Sequence, residues 1–305
     1  MKKIIITGAT GLIGKKITSQ LIERGDEVII FTRDAKKTKT IFPLAKECVE
    51  WNYKNSFEWQ KYLENYDAVI HLAGANVFSK RWTDVFKKEI LESRVQSTRS
   101  LIEAIKLCNK KPEVFISASA VGYYGDAGEN TLTEDSIAGN DFLAQVCKVW
   151  EAESAPIEQV GIRRVIIRTG IVLSLNDGAL KQMLPSFKYF IGGALGSGKQ
   201  WFPWIHIDDI AGIFLHALDN KKLHGAVNAA SPKILRMKEF ANLLGKIINR
   251  PSIFSVPGSI LKLALGEVAN VVLASQRINV NKLIESGYKF KFENLEDALK
   301  DLLKK

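Results

Sequence analysis

Thr7-Gly8-Ala9-Thr10-Gly11-Leu12-Ile13-Gly14 decides how this chain is read. It follows a short apolar run at 3–7. It opens a segment, 12–24, in which Leu12, Ile13, Ile17, Leu21 and Ile22 recur at helical spacing until Gly25 stops the helix. Three glycines between a strand and a helix each have a use. Gly8 permits a tight turn, Gly11 lets backbone amides approach a pyrophosphate, and Gly14 lets the helix pack close to the strand. A helix start carries partial positive charge and free N–H groups. Thr10, Leu12 and Ile13 therefore join the glycines as candidate phosphate contacts.

Beyond this loop the chain alternates. Apolar runs at 27–32, 47–51, 68–72, 113–117 and 164–168 are separated by helical segments. The clearest of these lie at 84–108 and 141–160, and Asn55-x-x-Glu58 resembles a capping box opening another to about residue 65. Strands apolar throughout are buried on both faces. The pattern predicts an α/β fold with a doubly wound parallel sheet, Rossmann-like. After about residue 169 the alternation loosens. Gly192-Gly193 and Gly196-x-Gly198 mark a loop, and Ile205–Ile207 leads to Asp208-Asp209, good N-cap residues for a helix at 210–218. A last strand at 227–229, a helix at 237–248 and further helices after Gly258 complete the chain. The expected division is a dinucleotide-binding domain over 1–170, with 204–230 returning to it. A smaller, mostly helical C-terminal lobe over 171–203 and 231–305 lies on the substrate side, with a ligand cleft between them.

Composition removes several classes. The 305 residues are 46% hydrophobic and 25% charged, which excludes a disordered, collagen-like or coiled-coil chain. No apolar run approaches the ~20 residues of a membrane span, and the apolar stretch at the start is too short for a signal peptide. Cys48, Cys108 and Cys147 are scattered and form no metal or disulfide pattern, so a reduced, cytoplasmic chain is expected. The net charge of +10 invites a nucleic-acid reading. The lysines, however, are spread along the chain in pairs such as Lys36-Lys37 and Lys110-Lys111, not gathered in one stripe. The expected partner is a small-molecule substrate, with no nucleic acid and no membrane.

The second strand ends Phe31-Thr32-Arg33. Thr32 stands where NAD binders carry an acid for the ribose hydroxyls, and Arg33 can clamp a 2′-phosphate that a carboxylate would repel. The expected cofactor is NADP(H). Asp34 lies two positions late and would reach the ribose only in a shifted register. The fourth strand ends His71-Leu72-Ala73-Gly74, where His71 is either an acid–base group or a packing residue.

The Gly-x-x-Gly-x-x-Gly spacing after Thr7 resembles the short-chain dehydrogenase/reductase superfamily, specifically extended members such as nucleotide-sugar epimerases and dehydratases. The resemblance implies a Ser or Thr at a strand end, with a Tyr-x-x-x-Lys on the next long helix. The stretch from Phe115 to Gly125 resembles that strand end, and Ser119 falls at the serine position. The Tyr-x-x-x-Lys is absent. Anchoring on Glu151 puts Leu143 and Cys147 in the two slots, and a one-residue shift puts Ala144 and Lys148 there. Tyr123 and Tyr124 are the remaining candidates for proton transfer.

Further segments sharpen the likeness: Lys80-Arg81-Trp82-Thr83, Ser93-Arg94, Cys147-x-x-Trp150-Glu151, Arg168-Thr169-Gly170-Ile171, Trp204-Ile205-His206, Gln276-Arg277 and Gly287-Tyr288. Together they resemble an atypical, epimerase-like family that carries its own C-terminal helical extension and lacks the usual tyrosine. The resemblance implies that Thr32-Arg33, Leu72-Ala73, Gly74, Glu89, Arg94 and Ile171 border the cofactor. Arg94 would reach a phosphate or order Glu89. Arg81, Trp82, Tyr123, Tyr124, Trp201, Trp204 and His206 are either pocket walls or interface core. The function implied is an NADP(H)-dependent oxidoreductase or epimerase acting on a small polar or nucleotide-linked substrate. The alternative is a non-catalytic NADP(H)-binding sensor. Extended members often dimerise through two long helices, here 84–108 and 141–160, whose apolar residues on more than one face fit either a homodimer or burial under the sheet.

Overall fold

Ile4, Ile5 and Ile6 are all fully buried, which requires cover on both faces of their sheet. The computed structural model describes residues 1–53 and 58–304. Its central sheet has seven strands: β1 (Lys3–Thr7), β2 (Glu27–Thr32), β3 (Glu47–Glu50), β4 (Ala68–His71), β5 (Val114–Ala120), β6 (Arg163–Thr169) and β7 (Gly225–Ala229). All neighbours pair in parallel, in the order β7-β6-β5-β4-β1-β2-β3. The order reverses between β1 and β4, the switch point where a doubly wound sheet opens a crevice.

Alternate strand residues sort onto the two faces. Ile4, Ile6, Ile30 and Ile70 pack with Ile17 and Leu21 of α1 (Leu12–Glu23), and with residues 210–218 further along the chain. Ile5, Ile29, Val69 and Phe115 pack with Leu101 and Ile105, and with Trp59 and Ile157. Each such side chain contributes roughly 1.5–3 kcal/mol on burial. The two layers explain why the strands are continuous apolar runs.

Several boundaries differ from the sequence reading. The segment Asn55-x-x-Glu58 lies largely outside the described residues; a 3₁₀ turn, Gln60–Leu63, follows it. A short helix not expected from the sequence, α2 (Ala35–Ile41), follows β2, with Asp34 as its N-cap: the carboxylate accepts from the Lys37 amide at 2.9 Å. The long helix expected at 84–108 is α3 (Asp84–Lys106). The one expected at 141–160 is α4 (Phe142–Glu153), followed by a 3₁₀ turn, Ala155–Val160. Pro156 explains that break, since its nitrogen has no proton to donate to the preceding turn.

A second unexpected helix, α5 (Ala179–Lys188), buries Leu180, Leu184 and Phe187. The helix expected at 210–218 begins earlier, as α6 (Ile207–Asp219). Its N-cap is His206, whose side chain accepts from the Asp208 amide, so Asp208 and Asp209 fall in the first turn instead of capping it.

After residue 170 a third core forms. Leu173, Leu180, Phe187 and Trp204 pack with Phe240 and Leu244 of α7 (Met237–Ile248) and with Leu295 and Leu299 near the C-terminus. Asp209 ties this part of the chain to α6. Its carboxylate accepts from the Lys291 amide at 2.7 Å, the Phe292 amide at 2.9 Å and the Tyr288 hydroxyl at 3.1 Å. Among the described residues no helix is long and apolar enough to cross a membrane.

Candidate functional site

The glycines of the first loop are fixed by contact geometry. Gly8 has φ +72°, and a Cβ there would lie 2.7 Å from the Leu72 carbonyl carbon. A Cβ on Gly14 would lie 2.2 Å from the Gly8 oxygen. The turn and the start of α1 therefore close only with glycine at both positions. Gly11 is exposed and caps α1 with no side-chain hydrogen bond, and Thr10 beside it is exposed too. The first-turn amides at Leu12 and Ile13 thus open outward, as an anion cradle requires. Gly178 would place a Cβ 3.4 Å from a Leu12 methyl and 3.2 Å from the Val172 oxygen. This contact brings the segment after Ile171 to the same helix end. The Ile171 amide donates to the Pro203 oxygen at 2.8 Å.

Thr7 joins this loop to β4. Its hydroxyl accepts from the Leu72 and Ala73 amides, both at 3.2 Å, and must then donate to His71 Nδ1 at 2.8 Å. That fixes the proton of His71 on Nε2, which faces the Thr98 hydroxyl at 3.1 Å. Burial, then the charge of Arg94, hold His71 down to about 3. Of its two readings, the packing residue is the one the structure adopts.

At the end of β2, Thr32 shares a hydroxyl–hydroxyl bond of 2.8 Å with Thr38. Capping of α2 engages the Asp34 carboxylate and turns it away from the shifted-register role. Arg33 is exposed and, among the described residues, has no ion-pair partner.

Arg94 does not order Glu89. Glu89 is exposed, with Lys80 at 4.0 Å. Arg94 turns inward instead, donating to the Ile90 oxygen at 2.9 Å and the Ala75 oxygen at 3.0 Å, with its guanidinium 5.0 Å from the Trp150 ring. It also covers Gly74, where a Cβ would lie 3.0 Å from Arg94 Cζ. Burial depresses its pKa, and the neighbouring Cys147 opposes that only in part.

The other end of the sheet is closed. Parallel register sets Ser119, Arg168 and Asn228 in one row across β5, β6 and β7. Ser119 donates to Glu151 Oε1 at 2.6 Å. Arg168 grips the same carboxylate with Nε at 3.0 Å and Nη2 at 2.8 Å, and donates to the Tyr124 hydroxyl at 2.9 Å. Tyr124 then donates to Asn228 Oδ1 at 2.7 Å. Burial works against the charge on Arg168, but its bonds to Glu151 outweigh it and raise its pKa. Burial pushes Tyr124 up to about 12, despite the nearby Arg168. The sequence reading missed this row as a unit. An arginine inside the apolar run Val165-Ile166-Ile167-Arg168 was its signal, because a buried cation demands a carboxylate.

Both hydroxyl functions of Tyr124, one of the two candidates for proton transfer, are thereby engaged. The Tyr123 hydroxyl makes no hydrogen bond among the described residues; its ring lies under the Arg168 guanidinium at 3.5 Å. Cys147 is buried beside Ser119 and the Ala120 backbone, while Lys148 is exposed, so the register anchored on Glu151 is the one the helix adopts. Burial, then the charge of Glu151, push the Cys147 thiol up to about 11. It is a neutral thiol where the resemblance calls for a lysine.

The candidate pocket residues divide. Trp204 is fully buried in the third core and donates to the Lys233 oxygen, and buried His206 serves as a cap. Trp82 packs against Phe142 and donates to the Val77 oxygen, and Arg81 donates to the Leu263 oxygen. Trp201 is half-buried, between Arg236 at 4.0 Å and Arg277 at 5.0 Å, and donates to Glu129. Gln276 donates to the Val121 and Gly125 oxygens and so holds the turn that carries Tyr123.

A glycine cradle at the switch point of a doubly wound sheet defines the class, a dinucleotide-binding protein. Residues 4–230 match the NAD dependent epimerase/dehydratase family, and residues 256–302 match a domain of unknown function, DUF1731. The chain belongs to that epimerase/dehydratase family, within its atypical extended branch. It is 37% identical over 302 residues to a chloroplastic SDR39U1 homolog, an epimerase family protein of Arabidopsis thaliana, covering 98% of this chain and 86% of that one. It is 37% identical over 301 residues to the epimerase family protein YfhF of Bacillus subtilis, covering 98% and 97%. Its fold matches the crystal structure of human epimerase family protein SDR39U1 with NADPH at a TM-score of 0.89, with 31% identity and 99% of each chain covered.

Proposed function

We propose that this chain binds NADP(H) across the C-terminal ends of β2, β1, β4 and β5 and uses it on a small polar substrate beside Tyr123. The observation that carries the cofactor half is the end of β2: Arg33 is exposed and, among the described residues, free of carboxylate partners, while Asp34 is committed to capping α2. A 2′-phosphate fits that arrangement and a bare ribose has no acid there to meet it. The cradle of Gly8, Gly11 and Gly14, with the amides at Leu12 and Ile13, takes the pyrophosphate. Leu72, Ala73 and Gly74 carry the cofactor past the end of β4. In this reading 1–170 with 204–230 holds the cofactor, and 171–203 with 231–305 covers the cleft from the substrate side.

The nicotinamide, when bound, supplies or accepts a hydride. The chain's own part is to position the substrate and handle its proton. Tyr123 carries the hydroxyl free to do so, and Gln276 fixes the turn on which it sits. Ser119 orients a substrate oxygen only through its lone pairs, because its proton is committed to Glu151.

A second reading, a non-catalytic NADP(H)-binding sensor, draws support from the neutral Cys147 thiol in the lysine position. One set of measurements tests both. NADPH binding to the purified protein should weaken by about tenfold to a hundredfold in Arg33→Asp, the loss of one or two charge-assisted hydrogen bonds. Undiminished affinity would overturn the cofactor assignment. Hydride exchange with a panel of carbonyl compounds, lost in Tyr123→Phe, supports the enzyme. Tight binding without exchange on any of them supports the sensor.

A further inference from the structure

Beside the end of β4 lies a cation with, among the described residues, no anion to match it. Arg94 projects from α3 into the space between the end of β4 and helix α4, against Gly74, the Ala75 oxygen and the Trp150 ring. Two of its five N–H groups go to backbone oxygens, and among the described residues it has no carboxylate partner. The Glu151 carboxylate, one helical turn on from Cys147, is already held by Ser119 and two nitrogens of Arg168. Cys147 itself is a neutral thiol, and Leu143 packs against the turn at Gly122 where the resemblance calls for the tyrosine. There is thus a positive charge but neither a phenolate nor a free carboxylate to offset it.

The sheet order says which part of the cofactor meets this charge. Arg33 at the end of β2 lies to one side of the glycine cradle on β1, and β4 and β5 lie to the other. With the 2′-phosphate end at β2, the nicotinamide end falls at β4 and β5, beside Gly74, Ser119 and Arg94. An oxidised nicotinamide ring carries a positive charge, and a reduced one is neutral.

We infer that Arg94 makes the site selective for the reduced cofactor, so that the protein holds NADPH and rejects NADP⁺. This rests on the NADP(H) reading and deepens it: whichever chemistry follows, loading would report the reduction state of the pool. Two like unit charges several ångströms apart at an effective dielectric near 20 differ from a charge–neutral pair by on the order of tenfold or more in affinity. The bound couple would correspondingly become easier to reduce, by about 30 mV per tenfold for a two-electron couple.

The test is equilibrium binding of NADPH and NADP⁺ to the full chain, for the wild type, Arg94→Met and Arg94→Lys. The wild type should bind NADPH at least about tenfold tighter. Arg94→Met should narrow that ratio mainly by strengthening NADP⁺, and Arg94→Lys should retain it. Equal affinity of the wild type for the two forms overturns the inference while leaving the cofactor assignment intact. So does an unchanged ratio in a folded Arg94→Met protein. Binding of neither form overturns the cofactor assignment and the inference with it. Should Arg94→Met not fold, the midpoint potential of the wild-type bound couple decides: a value above that of the free couple supports selectivity, and an equal value overturns it.

Discussion

The two ends of the crevice are built on opposite principles. At β1 and β2 the polar groups are left over: a helix start with no side-chain cap, exposed Thr10 and Gly11, and an Arg33 with no ion-pair partner among the described residues. At β5, β6 and β7 they are used up: Ser119, Glu151, Arg168, Tyr124 and Asn228 satisfy one another. Leftover groups at the surface are open to solvent and contribute little to stability. A closed buried network contributes rigidity and has few groups left to offer a substrate. In the proposed function, binding falls at one end and structure at the other, with Tyr123 and Arg94 as the groups between them.

The largest effect should come from opening the closed end. Glu151→Gln leaves the Arg168 guanidinium buried without its carboxylate, which costs about 3–5 kcal/mol. Urea unfolding should show that loss. Arg33→Asp at the open end should leave the unfolding midpoint within about 0.5 kcal/mol of wild type. A Glu151→Gln protein as stable as Arg33→Asp would break the contrast.

Much of this architecture was legible from the chain. Strands β1, β2 and β4 read directly because both their faces are buried, and the glycine loop read correctly because contact geometry forbids any other residue at Gly8 and Gly14. Helices α2 and α5 did not read. Ala35–Ile41 is lysine-rich and only Thr38 is buried along it, so it shows no apolar stripe, and α5 contains Pro185. The network at Arg168 was half legible. Ser119, Tyr124, Glu151 and Arg168 stand in recognisable segments, but Ser119, Arg168 and Asn228 meet only through the register of three strands distant in sequence. Asp34 shows the same limit, since a cap and a ribose ligand look alike until the following helix is known.

A smaller effect appears on acidification. His71 is held to about 3 in the folded chain, against 6.5 ordinarily, by burial and then by Arg94. The unfolded chain therefore binds a proton between those values that the folded chain does not, and stability falls as pH drops below 6.5. The loss is about 1.4 kcal/mol per pH unit for one proton, or about 2 kcal/mol by pH 5. Burial lowers His206 and His216 as well, and they add in the same direction. The distinguishing measurement is thus the difference between wild type and His71→Gln. The variant should lose stability less steeply from pH 6.5 to 5, and parallel curves would show that His71 titrates alike in both states.

The finest contrast sits at the boundary between the two ends, where neighbouring tyrosines part company. Tyr124→Phe removes a buried hydroxyl that accepts from Arg168 and donates to Asn228, and the stranded partners should cost about 1–3 kcal/mol. Tyr123→Phe removes a hydroxyl with no partner among the described residues and keeps the ring that Arg168 covers at 3.5 Å. Its stability should stay within about 0.5 kcal/mol of wild type. The two rings meet edge to face with centroids 5.3 Å apart, so their surroundings differ little except in what each hydroxyl touches. The pair therefore separates structural from chemical use of one functional group. If Tyr123 handles the substrate proton, its phenylalanine variant should slow hydride exchange by about a hundredfold or more while folding normally. If both variants instead destabilise alike, Tyr123 belongs to the closed network, and Arg94 is left as the one available group between the two ends.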